Sequence, residues 1–250
     1  MKFLCICLSP AIDATVRMDA WPTDGCIIKN AADTFVPGGK AVNVARWLAK
    51  RGAIVACGGL LGEDNAALFE KELQQCGIED RFVRIPGSTR VNEMFVTPQG
   101  SFKVNRPAGG KFEGFGKFER FEGFDAVILS GSLPKDWPAD TYRHLAEAAK
   151  KAGAKVVLDA SGKALVEGVK AHPDVIKPNA EDCEALVGFV PKTPKVEVLD
   201  TTAAGDTLLA EWCFSGDVHM AVAAGSAACT MPGGRPPDVE QVKRLAGEVA

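Results

Sequence analysis

The sequence predicts an α/β fold, a three-layer sandwich in which helices cover both faces of a mostly parallel sheet. Three observations lead there. Apolar runs such as 3–8 and 126–129 are short. They have the length of strands and fall far below the ~20 residues that cross a bilayer, so no membrane span is expected. Helical patterns of ten or more residues separate these runs, and strands joined by helices pair in parallel with both faces covered. Finally, 46% of the 250 residues are hydrophobic, enough to fill a sizeable core.

Each element follows from local patterning. Residues 41–51 put Val44, Leu48 and the stem of Lys50 or Arg51 near one helical face, and Gly52 ends the run. Residues 54–57 read as a buried strand, and 63–75 as a helix carrying Leu68, Phe69 and Leu73, closed by Gly77. A strand over 125–129, a helix over 139–151 ended by Gly153, and strands over 155–158 and 174–177 continue the alternation. Two stretches, 27–36 and 90–105, break it. In the second, extended pieces at 93–97 and 101–104 meet across Pro98, Gln99 and Gly100, which predicts a hairpin. Strands outside a helix-wrapped sheet form a small sheet of their own, here a lid over a site at the carboxyl ends of the main strands. The lid is placed at about 13–36 and 90–106, within one domain spanning 1–250. Phe112, Phe115, Phe118, Phe121 and Phe124 recur every third residue; the simplest reading is a helix or irregular segment packing its rings on the core.

Composition narrows the function. Lys and Arg total 29 against 32 Asp and Glu, a net charge of -3, and no run of like charge forms a phosphate-backbone track, so no nucleic-acid partner is expected. Met1-Lys2 leads directly into a short hydrophobic run without the longer apolar segment and cleavage site of a secretory signal, which predicts a cytoplasmic location. The 8 cysteines include no C-x-x-C pair, and the histidines stand apart at 144, 172 and 219. That offers no zinc spacing; small buried hydrophobes in a reducing compartment account for the cysteines.

The sharpest chemical feature is Asp200-Thr201-Thr202-Ala203-Ala204-Gly205-Asp206, between the strand-like 196–199 and the helical run 207–214. A small-residue turn entering a helix exposes unpaired amides with the positive end of the helix dipole behind them, an anion site suited to phosphate. Asp206 at its mouth is a poor anion ligand but a good base for a hydroxyl attacking phosphorus. By spacing alone, an ordinary N-cap aspartate explains it equally well. A second feature is Pro37-Gly38-Gly39-Lys40-Ala41-Val42-Asn43, leading into the helix that carries Arg46. Paired glycines let backbone approach a ligand closely, and Asn43 offers a donor and an acceptor to sugar-type hydroxyls. A helix-starting turn competes with that reading. Neither a Walker P-loop nor a dinucleotide fingerprint is present.

Together these stretches resemble the ribokinase-like PfkB carbohydrate kinase family. Its signatures are a Gly-Gly turn followed by Asn near the N-terminus and a Gly-Ala-Gly-Asp anion hole near the C-terminus. Leu8-Ser9-Pro10-Ala11-Ile12-Asp13, Gly58-Gly59-Leu60-Leu61-Gly62-Glu63-Asp64, Ser130-Gly131-Ser132-Leu133-Pro134, Leu158-Asp159-Ala160-Ser161-Gly162 and Ile176-Lys177-Pro178-Asn179 extend the likeness over almost the whole chain. The Pro-Ala-x-Asp opening, Thr89-Arg90-Val91-Asn92 and the Ser-Gly-Ser-Leu-Pro run look most like the 1-phosphofructokinase and tagatose-6-phosphate kinase branch, which phosphorylates sugar phosphates.

The resemblance implies an ATP-dependent kinase that phosphorylates a hydroxyl of a sugar or sugar phosphate. It implies Asp206 as general base beside the backbone of Ala203, Ala204 and Gly205, with the sugar held by Asp13, Gly38, Gly39 and Asn43. Arg90 would take the substrate phosphate, with Lys29, Lys103 and Arg106 as weaker candidates on the lid. Lys177, Asn179, Asp182 and Thr202 would serve the nucleotide, and Mg2+ would bridge the donor through water and phosphate oxygens. A homodimer through the lid is implied as well.

Three departures stand out. Ala203 replaces a family glycine, which is harmless in a helical-region backbone but costs ~1 to 2 kcal/mol in a left-handed one; activity is expected only in the first case. The Asn-x-x-Glu element appears as Asn179-Ala180-Glu181-Asp182, a shorter carboxylate unless Glu181 substitutes. Between Asp182 and Val196 the strand, turn and hairpin that form much of the family's adenine wall have no counterpart. The alternative is therefore a non-catalytic sugar-phosphate-binding or regulatory protein.

Overall fold

The computed structural model describes residues 1–29, 32–109, 116, 118, 120–177 and 196–248. In chain order its strands are β1 Lys2–Cys7, β2 Ala11–Arg17, β3 Ala32–Gly38, β4 Ile54–Gly62, β5 Glu79–Ile85, β6 Val91–Thr97, β7 Gly100–Val104, β8 Ala126–Ser130, β9 Lys155–Asp159 and β10 Val175–Ile176. Its helices are α1 Lys40–Lys50, α2 Ala67–Gln75, α3 Thr141–Lys151, α4 Gly162–Gly168, α5 Ala204–Ser215, α6 Val218–Ala228 and α7 Val239–Ala246.

The central sheet has the order β10-β9-β8-β1-β4-β5, and every neighbouring pair is parallel. Successive residues of a strand face opposite sides. Phe3, Cys5 and Cys7 of β1 accordingly join one core cluster with α1, α2, α5, α6 and α7, while Leu4 and Ile6 join the other with α3 and α4. The predicted three layers are present. On α3, Tyr142, Leu145, Ala146 and Ala149 are buried at helical spacing. Phe118, Phe121 and Phe124 pack into the second cluster from irregular chain, in line with the irregular segment expected as one of two forms; Phe112 and Phe115 lie outside the described residues.

Two local expectations need correction. Residues 196–199 form no strand: the amides of Leu199 and Asp200 both donate to the one carbonyl of Cys229, at 2.9 and 3.1 Å, which cannot build a ladder. The charged run of β5, unassigned from the sequence, is the edge of the sheet beside β4.

From β1 the chain winds outward to β4 and β5, then returns to β8 on the other side and continues to β9 and β10. The reversal opens a crevice at the carboxyl ends of β1 and β8, where ligands bind in open α/β sheets. A second sheet, β3-β2-β6-β7, stands by this crevice. Within it β6 and β7 form the predicted hairpin. Because Asp13 pairs with Asn92 and Met94 with Lys103, Asp13, Asn92 and Lys103 share one face, which lines the crevice. The other face carries Phe95, Phe102 and Val104, with Phe35.

Candidate active site

The crevice holds a cavity of about 520 Å³. Cations from four separate segments, Lys40, Arg90, Lys103 and Lys177, reach its wall against the carboxylates Asp13 and Asp206. The surplus of positive charge favours an anionic guest.

Asp206 lies in the first turn of α5. It is only 7% exposed yet lines the cavity. Asn43 Nδ2 donates to its Oδ2 at 2.8 Å. Burial pushes its carboxyl up to about 6; the Asn43 hydrogen bond opposes this, Asp159 adds to it, and Lys40 and Lys177 oppose it. Such a group is ionised at neutral pH and remains a competent proton acceptor. The amides of Ala203, Gly205 and Asp206 have no acceptor among the described residues, whereas Ala204 N donates to Thr201 O and Thr207 N to Ala203 O. The turn therefore presents free donors at the positive end of a twelve-residue helix.

Ala203 adopts φ 66, ψ 3, the left-handed form. The structure thus takes the branch that the sequence reading set against activity. The strain, about 1 to 2 kcal/mol, falls on folding rather than on the cradle. Ala203 Cβ lies on the Gly234 side, 3.5 Å from where a Cβ on Gly234 would stand, and the amides stay open.

The Gly-Gly turn has two steric reasons. A Cβ on Gly38 would stand 2.2 Å from Asp13 Oδ2, and one on Gly39, at φ 116, would stand 2.7 Å from Cys7 Sγ. Side chains there would displace Asp13 and push α1 off β1. Asp13 itself accepts from Asn92 Nδ2 at 3.2 Å. Arg90 donates to the carbonyls of Pro10, Ser9 and Arg106, a latch between the lid and the end of β1, and burial lowers its pKa.

Of the residues singled out in the sequence, Asp13, Gly39, Asn43, Arg90, Lys177, Thr202, Ala203, Gly205 and Asp206 line one cavity, and Lys103 joins them, its Nζ 3.4 Å from Thr202 Oγ1. Gly38 supports Asp13 from behind, and Ala204 opens α5. Lys29 and Arg106 stand away from the cavity. Lys29 is exposed on the segment before β3, and the Arg106 guanidinium is held by Glu93 and the carbonyl of Val91. Asn179 and Asp182, with Glu181 and the shortened stretch up to Lys195, lie outside the described residues.

Sequence reasoning missed Asp159, at 1% exposure. Lys40 Nζ and Lys177 Nζ meet its Oδ1 at 3.2 and 3.1 Å, and Ser130 Oγ donates to its Oδ2 at 2.9 Å. It anchors both lysines at the cavity, Lys177 beside Gly205, whose Cβ would lie 3.4 Å from Lys177 Nζ. The available signal was a carboxylate ending the apolar strand Val156-Val157-Leu158-Asp159.

A sequence model described as pfkB family carbohydrate kinase matches residues 7–191. A 1-phosphofructokinase of Rhodobacter capsulatus is 36% identical over 197 residues, 75% of this chain and 62% of that protein. The chain thus spans less than two thirds of that relative's length. A 1-phosphofructokinase of Vibrio cholerae is 29% identical over 269 residues, covering 88% of this chain and 83% of the relative. Those aligned positions outnumber the 250 residues of this chain, so the relative carries residues without counterpart here. In fold, the crystal structure of phosphofructokinase-2 from Escherichia coli in complex with substrates and products superposes with a TM-score of 0.88 over 100% of this chain and 99% of that one, at 21% identity.

Proposed function

The chain belongs to the pfkB family of carbohydrate kinases, and from that premise we propose that it transfers the terminal phosphoryl group of ATP to a hydroxyl of a sugar phosphate. One observation carries the reading: Asp206 is buried, hydrogen-bonded to Asn43 and poised near pH 6 beside a turn of free amides. In the proposed reaction the acceptor oxygen forms its bond to the γ-phosphorus, its proton passes to Asp206, and the bond to the ADP oxygen breaks.

The amides of Ala203, Gly205 and Asp206 cradle the moving phosphoryl group, and Lys40 and Lys177 offset its charge. Asp13, Asn43 and Asn92 orient the sugar hydroxyls. The phosphate already on the substrate goes to Arg90, which keeps N–H groups beyond its three backbone bonds, and to Lys103. The names of the relatives support a phosphorylated ketose as acceptor.

Mg2+ is part of this proposal. Among the described residues no three acidic, histidine or cysteine side chains converge, and both oxygens of Asp159 already accept hydrogen bonds or ion pairs. We propose that the ion is carried on the donor's phosphates and water, where it would supply charge neutralisation across the phosphate chain. We also propose that two copies pair through the outer lid face, where Phe35 and Phe102 are exposed and Phe102 meets Phe95 and Trp21. No helix among the described residues is long and apolar enough to cross a membrane.

The test is a phosphoryl-transfer assay with ATP over fructose 1-phosphate, fructose 6-phosphate, tagatose 6-phosphate and free fructose. Turnover of a ketose phosphate, faster than of free fructose, is expected. Stabilisation of the protein by these sugars with no turnover from any nucleoside triphosphate would instead make it a binding protein.

A further inference from the structure

A second cavity, of about 580 Å³, opens between α1, α2, β3 and the loop at 231–236. Its wall is cationic: Arg46, Lys50, Lys71 and Arg235 stand against the carboxylate of Glu72. Glu72 is already taken, 3.1 Å from Arg46 Nη1. Among the described residues Lys50 Nζ reaches only the carbonyl of Pro236, at 3.4 Å. Lys71 and Arg235 meet no carboxylate among the described residues. Arg46 is 3% exposed, and its Nε has no acceptor among those residues. Its Nη1 and Nη2 hold Glu72 and Asn43, so an anion in the cavity engages Arg46 in exchange for one of these partners. Apolar surface from Phe35, Val36, Leu68, Cys76 and Met231 lies between these charges.

Asn43, Arg46 and Lys50 fall three and four residues apart on α1, so one face of that helix runs from the first cavity to the second. Along it, Arg46 Nη2 donates to Asn43 Oδ1 at 2.5 Å, and Asn43 Nδ2 donates to Asp206 Oδ2 at 2.8 Å. Arginine can only donate, so it fixes which end of the Asn43 amide faces Asp206.

We propose that the second cavity binds a small multivalent oxyanion, a phosphate ester or polycarboxylate, and that its occupant acts on the transfer reaction through Arg46 and Asn43. An anion at Arg46 competes with Asn43 for the guanidinium and adds negative potential, and both effects favour the protonated form of Asp206. The other charged groups facing Asp206, namely Lys40, Lys177 and Asp159, lie outside this cavity and keep their places. Binding is independent of the reaction proposed for the first cavity; the coupling rests on Asp206 acting as base.

Pyrophosphate and citrate are the probes, titrated by calorimetry into the full chain, into Lys71→Gln/Arg235→Gln, and into Lys177→Gln as the first-cavity control. Both the wild type and Lys177→Gln should bind, with at least about tenfold weaker binding in the double variant. Binding of one probe alone in that pattern supports the site and tells phosphate from carboxylate. No binding to the wild type, binding unchanged in the double variant, or binding abolished by Lys177→Gln overturns it. For the coupling, the pH midpoint of kcat/KM should rise with saturating probe in the wild type and stay put in the double variant. An unmoved midpoint in the wild type overturns the coupling. Full activity in Asp206→Asn would remove the base assignment and the coupling with it, leaving the binding result intact.

Discussion

Burial leaves Asp206 poised between its two protonation states near pH 6, which ties rate and stability to one side chain. As a base it must be ionised, so kcat/KM should fall about tenfold per unit as pH drops below about 6; a flat profile down to pH 5 contradicts the role. Asp206→Asn should lower turnover by about 10² to 10⁴-fold while sugar-phosphate affinity, read by titration, changes little. The folded state holds this proton more tightly than the unfolded chain, so the ionised form above pH 6 is a penalty on folding that disappears as pH falls toward 4. Asp206→Asn should therefore be more stable than the wild type by about 1 to 3 kcal/mol above pH 7, with the difference vanishing below pH 4. Denaturant melts across that range check the sign. Ala203, left-handed at φ 66, makes the complementary case. Ala203→Gly should relieve strain and, after the greater freedom of unfolded glycine is set against it, raise stability by up to about 1 kcal/mol. A loss of stability would show that the alanine is not strained.

At the scale of elements, the lid shows how period-two alternation separates two tasks on one sheet. Asp13, Asn92 and Lys103 face the cavity, while Phe35, Phe95, Phe102 and Val104 face away. That second face underlies the proposed dimer, so Phe102→Ser should convert a dimer to a monomer in light scattering without loss of fold; an unchanged mass rules out pairing through this face. The hairpin across Pro98 and Gln99 was legible because turn residues and β-formers are local signals. Residues 196–199 misled because an apolar run states only that a segment can extend, whereas a strand needs a partner edge. β5 was overlooked for the opposite reason. Its charged residues sit at a sheet edge beside β4, where Arg84 pairs with Asp80 and Glu70, and only the tertiary position makes that run a strand.

For the whole molecule, the decisive feature is the reversal at β1, which brings Ser9, Gly39, Gly131 and the α5 turn around one crevice. It depends on close packing of β4 against β1, where Gly59 sits opposite Cys7. A Cβ on Gly59 would stand 1.9 Å from Cys7 O, at φ 134. Gly59→Ala should therefore cost more than about 3 kcal/mol and abolish soluble, cooperatively melting protein; a variant with near-wild-type melting would refute this account of the strand pair. Periodicity and backbone conformation are written over a few neighbouring residues, so the alternation of strands and helices, the Gly-Gly and Ala-Gly-Asp turns, and the family are legible in the chain alone. The anchoring of Lys40 and Lys177 by Asp159, the orientation of Asn43 toward Asp206 and the raised carboxyl of Asp206 emerge with folding. The contacts that complete them cross the chain, 119 positions from Lys40 to Asp159 and 163 from Asn43 to Asp206, and the raised carboxyl follows from burial; no local pattern encodes either.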